Sequence, residues 1–119
     1  MSDLFFEGIE EFNKGSFFEA HDAWEDLWVD ARGEARLFYQ ALIHTAVGFY
    51  HALNGNHRGA CSQFTKALLK LKSYLPSYHG VDTGRLVESL EECLHEAVLL
   101  REGSGGTFDA RRIPKIHLL

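Results

Sequence analysis

The chain has 119 residues with 12 Lys and Arg against 17 Asp and Glu. Its formal charge of -5, with no basic cluster beyond Lys66, Lys70 and Lys72 and the pair Arg111-Arg112, excludes a dedicated nucleic-acid surface. Apolar residues at 45% and aromatic ones at 13% exclude a disordered chain and suit one domain around a single core.

The start, Met1-Ser2-Asp3-Leu4-Phe5-Phe6-Glu7, lacks the basic residues and apolar stretch of a signal peptide, so a cytoplasmic protein is expected. Helical periodicity then runs almost end to end, and no segment alternates as a strand does. The class is all-α: a compact bundle or open array of five mostly antiparallel helices with an extended C-terminal tail. The first helix covers Asp3 to Asn13, with Phe5, Phe6, Ile9 and Phe12 inward, and stops at Lys14-Gly15, where Gly can adopt a left-handed cap. Ser16 opens the second, and Ser16-Phe17-Phe18-Glu19 fits a capping box.

The third helix, Glu34 to Leu53, carries apolar residues around most of its circumference and belongs in the middle of a bundle. Gln40, His44, Thr45 and His51 interrupt its apolar run, which is short for a membrane span. Asn54-Gly55-Asn56 ends it, and a fourth helix runs from Arg58 to Tyr74, closed by Pro76. Asp82 or Thr83 caps a fifth helix, which ends near Arg101. The single helical domain is thus residues 1–102. Residues 103–119 form a flexible Gly-rich link, Gly103-Ser104-Gly105-Gly106, and a tail able to dock Ile113 and Ile116 on the bundle. Phe12-Asn13-Lys14-Gly15 before one helix echoes Leu53-Asn54-Gly55-Asn56 before another, as in helix-pair repeats of the tetratricopeptide kind. Two imperfect copies are too few for a solenoid, and the echo reads as a shared helix-turn-helix solution.

The chemistry concentrates on the second and third helices. Phe17, Phe18, His21, Trp24, Glu25 and Trp28 fall within an arc of roughly 120° on a regular helix, which places an imidazole and a carboxylate among core aromatics. Buried, each needs a partner. Gln40, His44 and His51 share one arc of the third helix, so His21, Glu25 and Gln40, with His44 as an extra member, are expected to form a buried cluster between the two helices.

Three readings of that cluster compete. In the first it is a satisfied polar network, with Glu25 accepting from Gln40, His21 or the indoles of Trp24 and Trp28. In the second, His21, Glu25 and His44 or His51 hold a small ligand or a divalent metal, zinc or iron, and the protein is a metal-dependent hydrolase. In the third, a groove between helix pairs or an aromatic face receives a partner helix or a second copy of the chain. Other chemistry is poorly served. Only one Glu-x-x-His pair, Glu92 to His95, is present where a di-iron bundle needs two, and Ser104 lacks the strand-turn-helix setting of a nucleophile elbow. Cys61 and Cys93 have no zinc-knuckle or disulfide spacing and read as small buried hydrophobes.

Gly15-Ser16-Phe17-Phe18-Glu19-Ala20-His21, Trp24-Glu25, Trp28, Tyr39-Gln40-Ala41-Leu42-Ile43, Tyr50-His51, Asn56 and Gly59-Ala60 resemble the family catalogued as domain of unknown function 309. The likeness spans Phe5 to Leu71. It implies a compact, mostly antiparallel helical domain from bacteria or archaea with no established activity. His21, Glu25 and Gln40 match the family's pattern, and His44 departs from it.

Overall fold

Wherever the sequence places an apolar stripe at helical spacing, the computed structural model, which describes residues 3–119, forms a helix. The helices are α1 (Asp3–Asn13), α2 (Phe17–Asp30), α3 (Glu34–Leu53), α4 (His57–Leu71) and α5 (Thr83–Arg101). One-turn 3-10 segments follow at Lys72–Tyr74 and Ala110–Arg112, and the described residues contain no strand beyond the isolated bridges Tyr78 to Val81 and Val81 to Leu118. The class is all-α, and the bounds of α1 and α3 are those read from the sequence. The fourth helix differs: its α-helical part stops at Leu71, three residues short of the expected Tyr74, and tightens into the 3-10 turn.

Each helix packs chiefly on its neighbours in sequence, which gives an elongated body of 43 × 25 × 22 Å with α3 between α2 and α4. Six large side chains, Phe5, Phe12, Trp24, Phe38, Phe49 and Phe64, are essentially without exposure and fill its centre. Full burial of each phenyl ring stabilises by roughly 1.5–3 kcal/mol.

Two of these rings lie directly on the backbone of the preceding helix. A Cβ added at Gly8 would stand 2.1 Å from the Trp24 indole nitrogen, and one at Gly48 would stand 2.5 Å from the Phe64 ring. The pairs are spaced identically in sequence (8 with 24, 48 with 64), as are the turns between their helices. Ser16 N–H donates to the Glu11 carbonyl and Asn56 N–H to the His51 carbonyl, each at 2.9 Å, over Gly15 (φ 86°) and Gly55 (φ 77°). Helices α1–α2 and α3–α4 are therefore two copies of one hairpin, in register at Gly15 and Gly55.

The same turn explains why the expected capping box is not made. A box needs the Glu19 carboxylate to accept from the Ser16 amide, and that amide is already taken by Glu11. Ser16 sits at the cap position without a side-chain capping bond. Asn56 in the second copy does cap, accepting from Gly59 N–H at 2.9 Å, and Asp82 caps α5 through Arg85 N–H.

The tail shares the helices' core. Phe108 and Ile116 are buried and Ile113 is half-buried against the same cluster.

Candidate functional site

The buried stripe of α2 runs through Phe17, Ala20, Ala23 and Trp24. His21 and Glu25 therefore sit about one residue further round the helix, near 100° from its centre line. The pair is real: His21 Nε2 lies 2.8 Å from a Glu25 carboxylate oxygen, and His21 Nδ1 lies 3.6 Å from Asp22. It is not buried, however, since the Glu25 side chain is 51% exposed and that of His21 23%. The expected internal cluster is corrected to a surface pair of His21 and Glu25. Large aromatics suggested the inner face, whereas the close approach of α1 through Gly8 selects the face with the small Ala20 and Ala23.

The other expected members are distributed differently. The buried Trp24 indole N–H donates to the Phe5 carbonyl at 3.1 Å instead of reaching Glu25. Trp28 is half-buried under the Arg36 guanidinium, whose carbon stands 4.1 Å from the ring centroid. Arg36 also donates to the Trp28 and Ala31 carbonyls at 3.0 and 3.3 Å, closing the end of α2. Gln40 is half-buried, and no hydrogen bond among the described residues joins it to His21 or Glu25. His44 Nδ1 donates to Gln63 Oε1 at 2.7 Å, across to α4. Burial holds the His44 imidazole below its ordinary pKa, with the Gln63 bond partly opposing. His51 Nδ1 accepts from Asn56 Nδ2 at 3.3 Å. Among the described residues no three His, Cys, Asp or Glu side chains converge in an arrangement able to hold a metal.

His21 and His51 nevertheless meet at one place. They line a hollow of about 180 Å³ between α2 and α3 together with Phe17, Phe18, Val47 and Tyr50. The Phe18 ring lies 5.7 Å from His21 and 6.2 Å from Tyr50 between centroids. A second hollow of about 200 Å³ adjoins it across Phe17, Phe18 and Tyr50 and extends to Leu53 and Asn54. Phe18, Tyr50 and Leu53 are about half exposed here, at 54%, 45% and 48%. This face offers aromatic planes and two imidazoles beside a carboxylate, suited to an apolar side chain with a polar edge.

The sequence contained a signal for this face. Phe17-Phe18 and Phe49-Tyr50 are adjacent aromatics on helices, and neighbours there point about 100° apart. Where a helix buries a narrow stripe, one of such a pair turns outward, although on the more fully enclosed start of α3 both Phe38 and Tyr39 are buried. Phe17 and Phe49 are buried, while Phe18 and Tyr50 stand outside.

No helix among the described residues is long and apolar enough to cross a membrane. A protein of Aquifex aeolicus (strain VF5) bearing the name "Uncharacterized protein" is 27% identical over 94 residues, 78% of this chain. The chain spans only 28% of that relative's length. Residues 5–62 match a known family; they comprise α1 from Phe5 onward, α2, α3 and the opening of α4, hence nearly all of the first hairpin and the Gly48 and His51 side of the second. That family is the one described as Domain of unknown function (DUF309), which this segment of the chain is similar to.

Proposed function

We propose that this domain is a protein-interaction module whose contact face is the aromatic hollow between α2 and α3, and that its partner there is a second copy of the chain. The observation that supports this is the side-by-side exposure of Phe18, Tyr50 and Leu53 around a hollow with polar edges at His21–Glu25 and His51–Asn56. An apolar centre with a polar rim is the usual anatomy of an interface, and a twofold pairing would lay the same patch on itself.

Sedimentation of the chain over about a hundredfold range of concentration tests the reading. A dimer that Phe18→Asp and Tyr50→Asp convert to monomer, with helicity unchanged, is the expected result. A monomer throughout, or a dimer indifferent to both substitutions, overturns it. A second reading rests on His21 and His51 opening onto the same hollow: a small ligand or a zinc or iron ion held there with Glu25. Elemental analysis of untagged protein beside a His21→Ala variant tests it, and near-stoichiometric metal lost in the variant is the result that would establish it.

A further inference from the structure

The residues that hold the C-terminal tail lie on the odd-numbered helices and on the loop before α5. On α1, the Asn13 side-chain amide brackets Ile116: Nδ2 donates to the Ile116 carbonyl at 3.1 Å, and Oδ1 accepts from its N–H at 2.8 Å. From α3, the Phe49 ring meets Phe108 at 6.2 Å between centroids. On α5, Glu96 accepts from Asp109 N–H at 3.0 Å and forms an ion pair with Arg112, whose Nε stands 2.6 Å from it, while Cys93 Sγ lies 3.5 Å from the Arg112 carbonyl. The loop finishes the seat, as Asp82 N–H donates to the His117 carbonyl at 2.9 Å and Leu119 N–H to the Gly80 carbonyl at 2.8 Å.

Most of these bonds go to the tail's main chain, at residues 109, 112, 116, 117 and 119. The side chains that engage the seat are Phe108 and Ile116 as apolar anchors, the half-buried Ile113, Arg112 as a cation for Glu96, and Lys115, whose Nζ donates to the Asn13 carbonyl. Contacts that read main chain accept many sequences, and this is how extended peptides are bound. The seat is also the face formed by the first helix of each hairpin copy plus α5, and helical repeats present extended binding surfaces along one face of the stack. The tail reaches its seat through residues 102–107, which are all exposed and include Gly103, Gly105 and Gly106 at positive φ.

We propose that the face of α1, α3 and α5 is a binding site for an extended peptide with an aromatic residue, a basic residue four positions on and an aliphatic residue four positions after that, and that residues 107–119 occupy it in cis. The site borders the α2–α3 hollow at Phe17 and Leu53, which also line a hollow with Ala110, Ile113 and Pro114 of the tail, but it does not depend on the reading given to that α2–α3 hollow.

A protease site inserted between Gly103 and Gly106 lets the folded chain be cut after folding, so the test does not depend on a truncated variant folding. The probe is a fluorescein-labelled synthetic peptide of residues 107–119, followed by anisotropy, with helicity monitored by circular dichroism. The cut protein is expected to keep its helices and to exchange its own fragment for the probe. A peptide with residues 109, 110, 111 and 117 altered should compete within about threefold, whereas Ile116→Asp or Arg112→Glu in the peptide should weaken competition at least tenfold, as should Asn13→Ala in the body. Uncut Ile116→Asp protein, whose tail is unseated, should bind the probe directly. The proposal is overturned by no exchange at temperatures below melting, by loss of helicity that the native peptide does not restore, or by failure of the altered peptide to compete. Each of those results makes residues 107–119 a fixed part of this chain's core.

Discussion

Gly8 carries the Trp24 indole on its bare backbone, and the N–H of that indole reaches the Phe5 carbonyl one turn back at 3.1 Å. A methyl group at position 8 would meet rigid, buried ring atoms, so α1 and α2 would have to separate and the hydrogen bond would break. Gly8→Ala is expected to destabilise by about 1–3 kcal/mol, the overpacking cost, even though alanine is intrinsically better in a helix by roughly 1 kcal/mol. Gly48→Ala should behave alike against Phe64. Urea midpoints of the two variants check this, and an increase in stability at either position would refute the close contact.

Glu25→Ala is expected to cost less than about 0.5 kcal/mol, because the His21–Glu25 pair is an i, i+4 pair with a half-exposed carboxylate. A buried, paired carboxylate would cost several times more. Chemical denaturation of the variant at low and high salt decides, since an exposed pair should lose what little it contributes as salt is added.

That contrast shows where the sequence stops being informative. The i, i+4 spacing makes His21 and Glu25 partners on any regular helix, and their contact is legible without coordinates. Their burial is not, because the rotation of α2 about its axis is set by what packs on it, here α1 approaching through Gly8. Helix limits were legible at Gly15 and Gly55 for a local reason, the left-handed φ that closes each turn. The partners that hold the site residues and the tail were illegible, since they are distant in sequence: Gln63 for His44, Phe5 for Trp24, Asn13 for Ile116. No local spacing encodes them. Asn13, which binds both main-chain groups of Ile116, looks from the sequence like an ordinary helix end.

Cys93 sets an alkaline limit. Burial on α5, with Glu96 and Glu92 adding, pushes its thiol up to about 12, whereas a thiol in an unfolded chain ionises near pH 8.5. The folded state thus keeps a proton that the unfolded state releases. Its contribution is fully present below about pH 8.5 and is lost as pH rises from there toward about 12. Tyr39, Tyr74 and Tyr78, raised chiefly by burial, add the same direction at higher pH. Urea midpoints should fall between neutral pH and about pH 10, and Cys93→Ala, though less stable at neutral pH, should show a shallower fall. Native protein should also resist a thiol reagent at Cys93 until it is denatured.

The two tryptophans separate by their indole nitrogens. Trp24 is fully buried with its N–H bonded to Phe5, so Trp24→Phe removes the second hydrogen bond to that helical carbonyl, the tie between α1 and α2, and removes ring volume. The expected cost is about 1–3 kcal/mol. Trp28 Nε1 has no hydrogen-bond partner among the described residues, and its ring serves as the plane beneath Arg36. Trp28→Phe keeps that plane and should cost under about 1 kcal/mol, whereas Trp28→Ala releases Arg36 from the end of α2 and should cost more. Removing Arg36 in each Trp28 background completes a double-mutant cycle: coupling that persists in Phe and vanishes in Ala identifies the ring face, rather than the indole N–H, as what holds the guanidinium over the last turn of α2.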